Sequence, residues 1–165
     1  MKTPLCAGTC TMNLLSPLIY SEVIRFENGD RIRSDFLTAE YQKKLKCVQD
    51  GVAALKGTTS LTSAWRPYEY QRHLYEIINA DRVLDGINLQ DWPGCKKLRE
   101  EVTREMNKHG LKSGQAVARP GTSRHELGHA FDITINGITD EQRANVYRQC
   151  NVTNTAVTGE PWHVE

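Results

Sequence analysis

The chain has 165 residues, 39% of them apolar and 25% charged, a length suited to one domain and a composition that argues against disorder. Lys and Arg number 21 against 20 Asp and Glu, and the net charge of +1 comes with no long block of one sign, so a surface tracking nucleic-acid phosphates is not expected. The longest apolar run, Met12 to Tyr20, is broken by Asn13, Ser16 and Pro17 and falls far short of the roughly 20 residues of a membrane span.

That run also lacks the unbroken apolar stretch and small-x-small cleavage site of a signal peptide. The expectation is a protein made in the cytoplasm that works there, leaves by lysis or with a partner, or has been trimmed. The five cysteines (Cys6, Cys10, Cys47, Cys95 and Cys150) are odd in number and scattered. Cys6 and Cys10 resemble half of a metal knuckle with no second half, so reduced thiols are expected. A domain of this length removes roughly 70% of its unfolded surface from water, enough for a core without covalent staples.

Residues 18–26, LIYSEVIRF, are rich in β-branched and aromatic types and stop at Asn28-Gly29-Asp30, so they read as a strand ending in a turn. From Thr38 to Leu55, the positions Leu45, Val48, Val52 and Leu55 recur at helical spacing, with Gly57 just past the end. Ser60 to Trp65 reads as a short strand ended by Arg66-Pro67, and Glu69 to Asn79 as a helix. Asp91 to His109 reads as a more charged helix with Leu98, Val102 and Met106 on one face and Gly110 as its C-cap. Residues 111–124 form a loop containing Pro120-Gly121. Ala130 to Asn136, AFDITIN, then alternates, with Phe131, Ile133 and Ile135 on one face and Asp132 and Thr134 on the other. A helix from Asp140 to about Gln149 precedes the closing segment Gly159-Glu-Pro-Trp-His-Val-Glu165. The order of elements predicts a single α+β domain over residues 1–165 with a small antiparallel sheet flanked by helices. No internal repeat or linker interrupts it, and the strand topology is not readable from the pattern.

Three of the five histidines, His125, His129 and His163, lie in polar, Gly- and Pro-marked segments late in the chain. His125-Glu-Leu-Gly-His129 matches H-E-x-x-H, in which a helix aligns two zinc-binding histidines and the intervening Glu126 is the base. Such a helix is poorly supported here, because Pro120-Gly121 precedes it, Gly128 lies within it and a strand pattern follows at once. A different set fits the local structure better. A turn carrying His125 and a strand carrying Asp132 let an imidazole and a carboxylate converge on one ion, with His163 completing three protein ligands. Glu160, three residues before His163, is then placed to act as general base.

Ser123-x-His125-x-x-Gly128-x-Ala130-x-Asp132, followed by Glu160-Pro-Trp-His163, resembles the paired signature of the D-alanyl-D-alanine carboxypeptidases of the LAS superfamily, which also holds related phage endolysins and the hedgehog signalling domain. Ser63-Ala-Trp-Arg66-Pro-Tyr-Glu-Tyr-Gln71 resembles that family's upstream strand-to-helix segment, and all three elements occur in the family's order within residues 60–163. The resemblance implies a peptidase with one Zn²⁺ ion, acting on peptidoglycan stem peptides of the bacterial cell wall, and a monomer is expected. His125, Asp132 and His163 would be the metal ligands and Glu160 the base. Arg66 would stabilise the oxyanion, and Ser123 and Gln71 would contact substrate.

Plainer roles compete with some of these. Ser123 could cap a turn with Glu126 closing a capping box, and Arg66 could pair with Glu69. His73 and His109 fall on helix patterns and read as structural or solvated. The nearer functional alternative keeps the zinc but cuts an internal bond, as a phage endolysin does. The alternative of another class is a zinc-containing binding domain without catalysis, against which an intact Glu160 argues.

Overall fold

The computed structural model describes residues 15–28 and 32–165, so Cys6, Cys10, Gly29, Asp30 and the start of the Met12–Tyr20 run lie outside the described residues. Two compact units divide the chain, one from residues 20–68 and 121–165, the other from residues 69–120 and the described residues before 20.

In the first unit the periodic apolar side chains predicted along Thr38–Leu55 do form a helix. Helix α1 (Ser21–Glu27) precedes it, and α2 itself runs Ala39–Ala54, with the Thr38 hydroxyl accepting from the Tyr41 N–H as an N-cap. Strand β1 (Thr58–Ser63) follows, where the sequence predicts Ser60–Trp65. Tyr41, Leu45, Val48 and Val52 of α2 bury against Phe131, Ile133 and Val164 of the sheet and Val146 and Tyr147 of a late helix. Fully burying each such side chain is worth about 1.5–3 kcal/mol.

Helix α1 corrects the strand expected over residues 18–26. Val23 and Phe26 are both buried and lie three apart, a helical rather than an alternating spacing. It has no strand partner among the described residues, and packing overrides its β-branched composition.

The second unit holds α3 (Tyr68–Asp85), longer than the Glu69–Asn79 expected, and α4 (Lys96–His109), entered through a 3₁₀ turn at Pro93–Cys95 and closed by Gly110 at φ 66°. Ile77, Ile78 and Leu84 pack against Leu98, Val102 and Met106. Arg99 of α4 bonds both Asp81, at 2.7 Å, and Asp85, at 2.9 Å, while the Ser113 hydroxyl donates to the buried Asp81 at 2.7 Å. A buried charge is tolerable only with such partners.

The chain returns to the first unit through β2 (Phe131–Asn136), α5 (Asp140–Gln149) and β3 (His163–Val164). A reciprocal Thr139–Gln142 capping box starts α5. The sheet is antiparallel with order β1-β2-β3. The alternation read in AFDITIN holds: Phe131 and Ile133 enter the core, and Thr134 faces solvent. Phe131 pairs with Val164 on the core face, so the adjacent pair, Asp132 with His163, points to the opposite face. A bulge between Leu61 and Ser63 brings Ser63 into register with Asp132 and re-aims the end of β1.

Cys47 of α2 is disulfide-bonded to Cys150 at the end of α5, across 103 residues, which corrects the expectation of reduced thiols. The spacing of cysteines carries no pairing information. Only the packing of α2 on α5 brings these two together.

Candidate active site

Three segments of the first unit converge on the non-core face of the sheet. Register alone supplies two of the side chains, because Asp132 and His163 are direct cross-strand partners. The third, His125, comes from the turn segment 121–129, whose shape follows from its own hydrogen bonds. The Glu126 carboxylate accepts from the N–H groups of Gly121 at 3.0 Å and Ser123 at 3.2 Å, and the Ser123 carbonyl accepts from Glu126 and Leu127. Gly128 has φ 68° and donates to the His125 carbonyl, and its own carbonyl accepts from Thr38. A Cβ on Gly128 would lie 2.9 Å from the Phe36 carbonyl oxygen, so glycine is required twice over, by conformation and by space.

No helix therefore runs through His125 and His129. The His129 ring stacks on Tyr41 instead, at 5.3 Å, and belongs to no metal-ligating cluster among the described residues. The H-E-x-x-H resemblance has no helical geometry behind it, and Glu126 is engaged in shaping the turn.

His125 is buried, and its Nδ1 donates to the Ala64 carbonyl at 2.7 Å, which leaves Nε2 with its lone pair. That Nε2 lies 3.2 Å from His163 Nδ1 and 3.2 Å from Asp132 Oδ1, and the last two are again 3.2 Å apart. Three donor atoms at the corners of an even triangle are what a shared cation needs. Ligands about 2.0–2.1 Å from a four-coordinate zinc ion are separated by about 3.3 Å. The donor set fits as well, since two imidazoles and a carboxylate suit zinc. His163 Nε2 is buried with no hydrogen-bond partner among the described residues, so the only polar company of that ring lies on the Nδ1 side.

The electrostatics prepare these donors. Burial, and secondarily the charge of Arg66, depresses the His125 pKa and keeps its imidazole neutral. For Asp132 burial acts to raise the pKa, but hydrogen bonding with His125 and His163 and the nearby Arg66 charge outweigh it and hold the carboxyl well below the usual range. Arg66 sits 4.0 Å from Asp132 Oδ2, the carboxylate oxygen turned away from the imidazoles, and its backbone N–H donates to the His125 carbonyl. The competing Glu69 pairs with Arg72.

The remaining candidates are placed as follows. Glu160 is half-buried, and its carbonyl accepts from the His163 N–H at 3.0 Å, so a single turn links it to β3. Ser123 is buried at the head of the His125 turn, with its N–H bonded to Glu126 as one half of the capping box. Gln71 belongs to the other unit, where it is buried and its amide donates to the Ala118 carbonyl at 2.7 Å. The Ala64 carbonyl, which selects the His125 tautomer, was invisible in the sequence because a backbone group has no residue signature.

Residues 34–149 match the family model described as "VanY: D-alanyl-D-alanine carboxypeptidase". The chain belongs to that family. The matched span of this VanY-family chain includes Arg66, Ser123, His125 and Asp132 and stops short of Glu160 and His163, so the sheet register described above is an independent reason to join His163 to the set. Among solved structures, a vancomycin-resistance D,D-pentapeptidase VanY from a VanB-type cassette, a glutamate-to-alanine variant in complex with Zn(II), is 23% identical. It aligns over 78% of this chain and 71% of its own with a TM-score of 0.49. VanYB in complex with D-alanine-D-alanine is 22% identical over 78% and 70% of the two chains, with a TM-score of 0.47. Among curated proteins, none matches the chain.

Proposed function

We propose that this VanY-family member is a zinc peptidase that removes the terminal D-alanine from peptidoglycan stem peptides, with His125, Asp132 and His163 as the metal ligands. The observation that carries the proposal is the even 3.2 Å triangle of His125 Nε2, Asp132 Oδ1 and His163 Nδ1. Zinc in such a set supplies Lewis acidity and an acidified water at neutral pH.

The chain's own groups do the rest. Glu160 takes the proton of the attacking water and returns it to the leaving amine, so that water is added across the amide and a carboxylic acid and an amine result. Arg66, beside Asp132, places positive charge where the carbonyl oxygen becomes negative. Its pairing with Asp132 Oδ2 also orients the carboxylate so that Oδ1 faces the two imidazoles. Ser123, at the head of the His125 turn, contacts the substrate's terminal carboxylate. The family match runs through both units, which supports one peptidase domain over residues 1–165. The Cys47–Cys150 bond suits an oxidising location such as the cell wall. No helix of the described residues is long and apolar enough to cross a membrane.

Mass spectrometry after incubation with a free stem pentapeptide and with purified peptidoglycan tests the reading. Loss of one alanine from the pentapeptide is expected. Cross-linked dimers turning into monomers with the pentapeptide untouched would assign an endopeptidase instead, and no product from zinc-loaded protein would point to a binding domain.

A further inference from the structure

The unit containing α3 and α4 holds a second convergence of imidazole and carboxylate. Glu105 and His109 are one helical turn apart on α4, so both side chains lie on the same face. His73 reaches the same point from α3. Glu105 Oε2 is 3.3 Å from His73 Nε2 and 3.4 Å from His109 Nε2, and the three donor atoms lie within 4.8 Å of one another. We infer that His73, Glu105 and His109 form a second binding site, for a divalent transition-metal ion of the zinc class, that clips α3 to α4.

Three features of the cluster support a cation there. The side chains are sequestered, with His109 fully buried, His73 at 7% and Glu105 at 15% exposure. Tyr70 adds the outer partner expected of a metal-binding imidazole. Its hydroxyl lies 2.9 Å from His109 Nδ1, and the tautomer that donates Nδ1–H to it leaves the Nε2 lone pair facing Glu105. His109 also lies in the last turn of a 14-residue helix, with Glu105 one turn before it, and the carbonyl end of a helix favours positive charge. Two imidazoles and one carboxylate select zinc, cobalt or nickel over calcium or magnesium. The cluster shares no residue with the His125, Asp132 and His163 triad.

The competing arrangement is one in which protons alone, shared between the imidazoles and Glu105, hold the cluster together. Metal counting on the full chain separates the two. Protein is loaded with zinc, freed of unbound metal and analysed for zinc per chain. About two equivalents are expected for the unaltered chain, about one for Asp132→Ala, and none for Asp132→Ala combined with Glu105→Gln, with circular dichroism checking the fold. Cobalt in Asp132→Ala is expected to give visible absorption that Glu105→Gln removes. Asp132→Ala holding no zinc, or holding one equivalent that survives Glu105→Gln, overturns the inference. A second measurement leaves α3 and α4 unaltered: the thermal midpoint of Asp132→Ala should rise on adding zinc and return with a chelator. An unchanged midpoint overturns it too. If the unaltered chain and Asp132→Ala both held one equivalent that Glu105→Gln removed, the helical site would stand and the catalytic assignment would fail.

Discussion

The two imidazole–carboxylate clusters are assembled by different secondary structure, and the contrast shows what each kind of scaffold contributes. In the sheet cluster, backbone pairing places Asp132 opposite His163, and a hydrogen bond from His125 Nδ1 to the Ala64 carbonyl holds the third side chain beside them. All three donor separations are 3.2 Å. In the helical cluster the local α4 spacing supplies Glu105 and His109, but His73 depends on side-chain packing between α3 and α4, held by Arg99 on Asp81. Ladder hydrogen bonds set two of the three sheet corners through the backbone alone, whereas a helix pair fixes a site only as well as its packing. The sheet cluster is therefore the pre-organised one, suited to chemistry, and the helical cluster suits a structural ion.

The largest expected effect comes from removing a corner of the even triangle. Asp132→Ala should lose the sheet-site zinc and turnover together, while keeping its circular dichroism spectrum. Retention of that zinc would dissolve the contrast between the clusters. Glu160→Ala should instead keep the metal and lose roughly 10²–10⁴-fold in turnover, the usual share of a general base. Metal loss from that variant would make Glu160 a ligand. Neither effect is expected from Glu105→Gln, whose measurable consequence should be confined to metal content and thermal midpoint.

Next in size is the covalent tie of the sheet unit. Replacing Cys47 and Cys150 by alanine opens a loop of 103 residues and should cost roughly 2–5 kcal/mol, lowering the thermal midpoint by roughly 10 °C. An unchanged midpoint would mean the core alone holds α2 to α5.

A smaller effect separates the apo states by pH. The folded environment depresses His125, so its unfolded form takes up a proton near pH 6.5 that the folded form excludes. Stability of the metal-free chain should thus be full above about pH 6.5 and decline as the pH falls below it. Denaturant unfolding at pH 7.5 and pH 5.5 measures this, and a His125→Gln chain should show a shallower decline. Smallest of all, His129→Ala should leave zinc at both sites and alter turnover little. Glu126→Gln should also keep the metal, with at most about a 10–100-fold loss through the turn it shapes. Zinc lost from His129→Ala but kept by Asp132→Ala would reverse the site.

Much of the sheet cluster was legible because its parts are local. The alternation in residues 130–136 sends Asp132 away from the core, and Pro120 and Gly128 deny His125 and His129 a common helix. Helical spacing likewise located α2, α4 and α5 to within a few residues. What failed did so for one reason. Residues 18–26 have strand-forming side chains, yet their fate depended on what they pack against, and they form α1. His73 and His109 fall on helix patterns that read as structural or solvated, and nothing in the chain's order says that they meet at Glu105.

The sequence by itself determined the strand and turn settings of the candidate ligands, because periodicity and short-range sterics act within a few residues, and its motifs carried the resemblance to the family. The tertiary structure alone decided the β1-β2-β3 register, the bulge at the end of β1, the Ala64 carbonyl on His125, the Cys47–Cys150 bond and the His73–Glu105–His109 cluster. Each of these joins segments between 31 and 103 positions apart or depends on such a join. Their meeting is set by the burial of whole helix and sheet faces, which no local pattern encodes.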